Sequence, residues 1–310
     1  MFEIYLPIAE LSVNILTMIG MGAAVGFLSG MFGVGGGFLI TPLLIFSGIP
    51  APVAAATGVN QLVASSISGA LAQWRRNNVD VKMGTVLLIG GGFGTAIGVQ
   101  LVRLLRETGQ IELIIALLYV IFLGAVGTLM LIESVNAIRK ARSGKPRASR
   151  RTGRHGWIHG LPFRTRFPRS KLYTSAIPPV LLGVVVGLLA SVMGVGGGFI
   201  MLPAMIYLLR MPTNVAIGTS LFQIIFVAAL ATILHAAENH TVDVLLALLL
   251  MIGGVFGGQF GATTGQKLRG EQLRALLAIL VVGVAVRLLF SIILRPDELY
   301  SIGPVMGQIN

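Results

Sequence analysis

GVGGGF occurs twice in this 310-residue chain, at Gly33 to Phe38 and at Gly194 to Phe199, each time inside a long apolar run. Glycine accepts positive φ and leaves its backbone amides uncovered, so each copy predicts a break in a helix. Working outward from the first copy, a span at about 12–32 leads into Gly33, Gly35, Gly36, Gly37 and Phe38, then into a short piece with Pro42 that ends near Ser47 and Gly48. A dozen residues at 1.5 Å each fall short of the ~30 Å hydrocarbon core. The spacing therefore predicts a broken or re-entrant helix whose freed N–H groups point into a cavity, because irregular backbone at membrane depth must be covered by protein or water.

The surroundings are those of a membrane protein. Hydrophobic residues make up 55% of the chain and charged residues 11%, where soluble domains carry about 25% charged. No charge lies between Glu10 and Arg75, and the windows 83–102, 172–209, 211–234 and 244–266 are equally bare. At about 20 residues per span there is room for about 8 to 10 helices. The chain has no cysteine, which excludes disulfides and thiolate metal sites. MFEIYLPIAE has acidic residues where a signal peptide carries Lys or Arg, and reads as no cleaved leader.

The net charge of +12 is local. Residues 139–171 hold twelve Lys or Arg and no Asp or Glu, so the rest of the chain is balanced. Rich in Gly, Pro, Ser and Arg, this stretch reads as a poorly ordered loop held in the cytoplasm by the positive-inside rule, with contact to anionic lipid as an addition. No fold motif or aromatic ladder accompanies it, so nucleic acid is not an expected partner.

The linker divides two similar halves. GFLSGMFGVGGGFLITPLLIF from Gly26 aligns with GLLASVMGVGGGFIMLPAMIY from Gly187, TGVNQ at Thr57–Gln61 with TSLFQ at Thr219–Gln223, and Val79 and Asp80 with Val242 and Asp243. The organisation predicted is an N-terminal transmembrane repeat over 1–138, a basic cytoplasmic linker over 139–172 and a C-terminal repeat over 173–310. Short-loop charge gives the orientation. WRRNNVDVK at 74–82 is basic while its counterpart AENHTVD at 237–243 has no Lys or Arg, and the bias reverses at 103–110 against 266–274. Reversed bias predicts inverted-topology repeats with both termini outside. The fold class expected is thus an all-α polytopic membrane protein, with two broken or re-entrant helices among its spans.

Inverted repeats favour a transporter, since exchanging the conformations of the halves yields inward- and outward-open states of similar energy. The substrate site is expected where broken helices occupy matching positions: Gly33, Gly35, Gly36, Gly37 and Phe38 in one half, Gly194, Gly196, Gly197, Gly198 and Phe199 in the other. Backbone N–H groups at helix N-termini attract anions; close helix crossing is the competing use of these glycines. Thr57, Gln61 and Ser65 share one helical face beside Asn60, and Thr219, Ser220 and Gln223 repeat the pattern. These neutral groups suit an oxyanion, or else bond between helices. Gly90, Gly94 and Gly98, like Gly253, Gly257, Gly261 and Gly265, recur every four residues and read as packing seams.

No Asp or Glu lies well inside a predicted span, so a carboxylate proton relay is not expected. His235, near an outer helix end, could titrate or serve as a polar cap, and Arg287 can snorkel outward or attract anions. An anion leaving a negative interior gains ~2.3 kcal/mol per charge per 100 mV, so export needs no coupled ion. The few His, Asp and Glu form no metal or nucleophile constellation, so neither enzyme activity, a metal nor a cofactor is expected.

GMFGVGGGFLITPLL followed by ATGVNQLVASSISGALAQWRR, then MGVGGGFIMLPAMIY followed by AIGTSLFQIIF, resemble the two signatures of the sulfite exporter TauE/SafE family. The resemblance implies a bacterial inner-membrane, multi-pass transporter that mostly exports sulfite or small organosulfonates such as sulfoacetate. It places the family motifs on Gly33–Phe38, Thr57–Gln61, Gly194–Phe199 and Thr219–Gln223. The Arg-rich insert departs from a minimal member. A passive anion channel, and an importer of sulfur compounds or another organic acid, are the remaining readings.

Overall fold

The computed structural model describes residues 3–32, 36–109, 111–142, 164–170, 172–265 and 270–293. Gly33, Gly35, most of the basic linker and the residues after 293 lie outside this set. Among the described residues there are ten α-helices and two short β-hairpins, and the second half repeats the element order of the first. Strands β1 (Glu3–Leu6) and β2 (Leu11–Asn14) precede α1 (Ile15–Phe32), α2 (Gly37–Phe46), α3 (Ala51–Arg75), α4 (Val81–Glu107) and α5 (Ile111–Arg142). Strands β3 (Arg164–Phe167) and β4 (Leu172–Ser175) precede α6 (Ile177–Met193), α7 (Gly198–Tyr207), α8 (Thr213–Leu234), α9 (Val244–Gly265) and α10 (Gly270–Ile293). The all-α polytopic class is correct. Val81–Glu107, Ile111–Ile132, Thr213–Asn239 and Val244–Gly261 are each long and apolar enough to cross a bilayer.

The hairpins are the departures from the sequence reading. Both are antiparallel, pairing Glu3 with Asn14 and Arg164 with Ser175. The first shortens the span expected from residue 12, which begins at Ile15. The second orders the tail of the stretch read as a loop. Four-residue strands carry too little alternation to stand out beside apolar helices, and each hairpin is held by a contact from the other half, described below.

Local chemistry sets the breaks. Helix α2 starts after Gly36 at φ 67° and α7 after Gly197 at φ 77°, and neither has a side-chain cap. Each is ten residues long, about 15 Å and so about half of the hydrocarbon core. Pro50 and Pro212 open α3 and α8, where a missing N–H costs nothing. Asp80 opens α4 by accepting from the Met83 N–H at 3.1 Å, and Asp243 opens α9 by accepting from the Leu246 N–H at 3.1 Å.

Packing between halves is reciprocal. Helix α9 runs parallel to α1, with Gly253, Gly257 and Gly261 against the carbonyls of Ile19, Ala23 and Phe27. Its counterpart α4 does the same to α6, with Gly90, Gly94 and Gly98 against the carbonyls of Val180, Val184 and Leu188. The period-four glycines are packing seams, as expected, and they join one half to the other rather than neighbours within a half. The equivalent helices α3 and α8 run antiparallel, since Gly69 faces Leu221 while Gly218 faces Gln73 and Asn78. Contacts that pair i with j′ and j with i′ mark an approximate two-fold relation between the halves.

Candidate functional site

The two half-helices meet at that axis. Phe38 and Phe199, the second residues of α2 and α7, stack with ring centroids 4.6 Å apart and planes at 25°. Both rings are buried. Behind them the second glycine loop carries Gly194, Gly196 and Gly197 at φ 72°, 69° and 77°, conformations that side chains rarely adopt. A Cβ on Gly37 or Gly196 would overlap the Leu62 side chain, and one on Gly194 would overlap Ala55. Glycine is therefore required here for both φ and space. The loop is fastened from two sides. The Gly194 carbonyl accepts from Thr41 Oγ1 at 3.4 Å, and the Met193 carbonyl accepts from the buried Tyr119 hydroxyl at 2.7 Å. Gly198 and Phe199, like Gly37 and Phe38, supply the first-turn N–H groups that have no partner within their helix.

The polar residues of α3 and α8 lie on the faces that these helices turn toward α9 and α4. Thr57 and Thr219 are 0% exposed, Gln61 is 2% and Gln223 is 3%. The Asp243 N–H donates to Thr57 Oγ1 at 3.0 Å, and the Asp80 N–H donates to Thr219 Oγ1 at 3.0 Å. Each threonine thus ties its helix to the loop of the other half. Gln61 Nε2 donates to the Gly22 carbonyl at 2.9 Å and lies against Gly254, while its Oε1 is buried without a partner among the described residues. Gln223 takes the matching place, its Nε2 against Gly91. Gly254 and Gly91, each next to a seam glycine, therefore leave room for both carboxamides. Ser220 is buried but donates to the Ile217 carbonyl of its own helix at 3.0 Å, and Ser65 donates to the Leu62 carbonyl at 3.3 Å. Asn60 is half-buried on a neighbouring face.

Two carboxylates escaped the sequence reading as site elements. Asp80 and Asp243 are each 1% exposed. Besides capping α4, Asp80 accepts from the Ser170 N–H at 2.9 Å and the Ser170 hydroxyl at 2.6 Å, which fastens the β3–β4 turn. Asp243 accepts from the Ile8 N–H at 3.1 Å, which fastens the β1–β2 turn. Their signal in the sequence is the matched Val-Asp pair of the two copies. A cleft of about 290 Å³ opens beside the Asp80 latch, lined by Trp74, Lys82 and Arg169. Arg287 is exposed, and its guanidinium lies 4.1 Å from the ring centre of Phe46 at the end of α2.

Paired half-helices, buried neutral hydrogen-bonding groups at matching positions of the two halves and long apolar helices around them define the class, a multi-pass α-helical membrane transporter. The TauE/SafE sulfite exporter family matches residues 18–288, and the chain belongs to that family. A probable membrane transporter protein of Bacillus subtilis, YunE, is 26% identical over 286 residues, covering 90% of this chain and 98% of its own. A probable membrane transporter protein of Xylella fastidiosa is 28% identical over 277 residues, 88% of this chain and 94% of its own. One from Methanocaldococcus jannaschii is 27% identical over 276 residues, 84% and 90%. No solved structure matches the chain.

Proposed function

We propose that this chain is a secondary transporter that exports sulfite or a small organosulfonate anion such as sulfoacetate across the bacterial inner membrane. It works by alternating access between inverted repeats over 1–138 and 173–310. The observation that carries the reading is the meeting of two uncapped half-helices at Phe38 and Phe199. Two N-termini directed to one place bring partial positive charge and free N–H donors without any formal cation, which suits an oxyanion that must be released again. Gln61, Gln223, Thr57 and Thr219 are the buried polar groups of α3 and α8, the helices that pack on α2 and α7, with Asn60 and Ser220 on adjoining faces. The antiparallel run of α3 and α8 supports inversion of the halves. Burial of the site residues supports a state closed at both ends, from which one end opens at a time. Arg169 and Lys82 at the cleft near residue 80 attract anions from the side where the basic linker, 139–172, is placed in the cytoplasm, with anionic lipid as its neighbour. Both chain termini then lie in the periplasm.

Thermal shift of detergent-purified protein tests this. Sulfite and sulfoacetate should each raise the melting temperature, while taurine, sulfate and acetate should raise it less. Gln61→Ala and Gln223→Ala should each weaken the sulfur-anion shift at least tenfold in concentration, the ~1.4 kcal/mol expected for one hydrogen bond to a charged group. Unchanged shifts in both variants would move the site away from the crossing.

A further inference from the structure

The π-helical turn His235–Asn239 closes α8, and such turns recur at functional sites. It buries a histidine that the anion site does not use. His235 Nε2 lies 3.0 Å from the Ser191 carbonyl, and its Nδ1 lies 3.0 Å from Asn239 Nδ2. A carbonyl only accepts, so Nε2 carries the proton and Nδ1 accepts from Asn239: the ring is neutral. Asn239 is 4% exposed, and its Oδ1 has no partner among the described residues. Its remaining side-chain bond, to the Val99 carbonyl at 3.5 Å, is weak. Turning the carboxamide over would aim Oδ1 at Nδ1 and accept a proton bound there. The orphan acceptor is what a second, protonated state of His235 needs.

The charged groups around the ring are few. From α4, Arg106 Nη1 donates to the Asn239 carbonyl at 2.7 Å, and Arg103 lies 3.5 Å from Glu238 and 4.0 Å from Glu107. Gln100 Nε2 donates to Glu238 at 3.1 Å. From the turn's own strand of chain come Glu238 and His240. From α6 comes Ser191, which lies three residues before Gly194, and Gly197 at the start of α7 packs on Val186 and Ala190 of the same helix. The equivalent position in the first half is Gln73, which holds Asn78 and cannot titrate. The device is one-sided.

We propose that His235 is a proton-binding site with Asn239 as its reversing partner, and that its charge is transmitted through the end of α6 to the second glycine loop. Resting on the anion reading above, it follows that a bound anion and the imidazolium favour one another, since binding linkage is reciprocal. Magic-angle-spinning NMR of proteoliposomes, with His, Asn and Gly labelled, tests the proposal. As the pH is lowered from about 8 to about 5, the His235 ring nitrogens should change from the neutral to the protonated pattern. The Asn239 carboxamide and the Gly197 amide should shift with the same midpoint, and both shifts should vanish in His235→Gln, whose amide can still donate to Ser191. Sulfoacetate, which does not itself titrate in that range, should raise the midpoint by about half a unit, a threefold gain in affinity on protonation. Ring nitrogens unchanged across the range, or titration that leaves Asn239 and Gly197 unmoved, would overturn the proposal. Failure of sulfoacetate to bind, with the three signals still titrating together, would overturn the substrate reading alone.

Discussion

Gly94→Ala and Gly257→Ala should each lower the melting temperature of the purified protein far more than a change at a helical glycine that faces open space. A Cβ at Gly94 overlaps the Val184 carbonyl, and one at Gly257 overlaps the Ala23 carbonyl. These are backbone atoms of a packed helix and cannot swing aside. Relief requires the two helices to part along the whole seam, which also loosens the neighbouring contacts of Gly90 and Gly98 or of Gly253 and Gly261. Overpacking of this kind costs ~1–3 kcal/mol or more, and about 2 to 4 °C accompanies each kcal/mol in a chain of this size class. A drop of about 2 to 12 °C is expected, and Leu at either position should leave little folded protein. Gly124→Ala provides the control, since nothing lies within 4 Å of its Cβ. There the better helix propensity of Ala, ~1 kcal/mol, should hold or raise stability. Equal effects at Gly94 and Gly124 would mean that the seams are not the tight contacts described.

How much of this was legible in the sequence differs by residue, for physical reasons. Gly90, Gly94 and Gly98 announce a smooth helix face by their period, but a period names a face and not its partner. That α4 meets α6, across the repeat, comes only from the assembled halves. GVGGGF announced a break because four glycines in six residues have few other uses in an apolar run. The stacking of Phe38 on Phe199 was out of reach, since it depends on where the axis falls. Thr57 and Gln61 were visible as a polar face at helical spacing, whereas the spending of Thr57 on the Asp243 N–H was not. Asp80 and Asp243 looked like loop charges because each sits just before an apolar span, and only a hairpin folded over them takes them out of water. His235 looked like a polar cap for the same reason, and the π-helical turn draws it inward.

Asp80→Asn should release the β3–β4 hairpin while leaving α4 in place. The carboxylate holds both at once: one oxygen accepts from the Met83 N–H, the other from the N–H and hydroxyl of Ser170. An asparagine keeps one carbonyl oxygen for the cap and turns an N–H₂ toward Ser170, whose hydroxyl can reverse to accept but whose backbone N–H is left unsatisfied. Hydrogen bonds to a charged group contribute ~1.5–3 kcal/mol, so losing the charged acceptor at Ser170 should cost ~3 kcal/mol locally. At ~1.4 kcal/mol per factor of ten, amide exchange in 164–175 should accelerate about a hundredfold, with 81–107 nearly unchanged. Asp243→Asn should accelerate 3–14 instead, and less, because a single bond from Ile8 is lost there. Asp80→Ala, which removes the cap as well, should lower the melting temperature of the whole protein. Unchanged exchange in 164–175 for Asp80→Asn would show the hairpin to be held by its packing and not by the carboxylate. The two latches sit at matching positions of the halves, and both are closed in this structure. Under the alternating access proposed above they must release separately, so the Asp80 and Asp243 variants should bias the protein toward opposite openings.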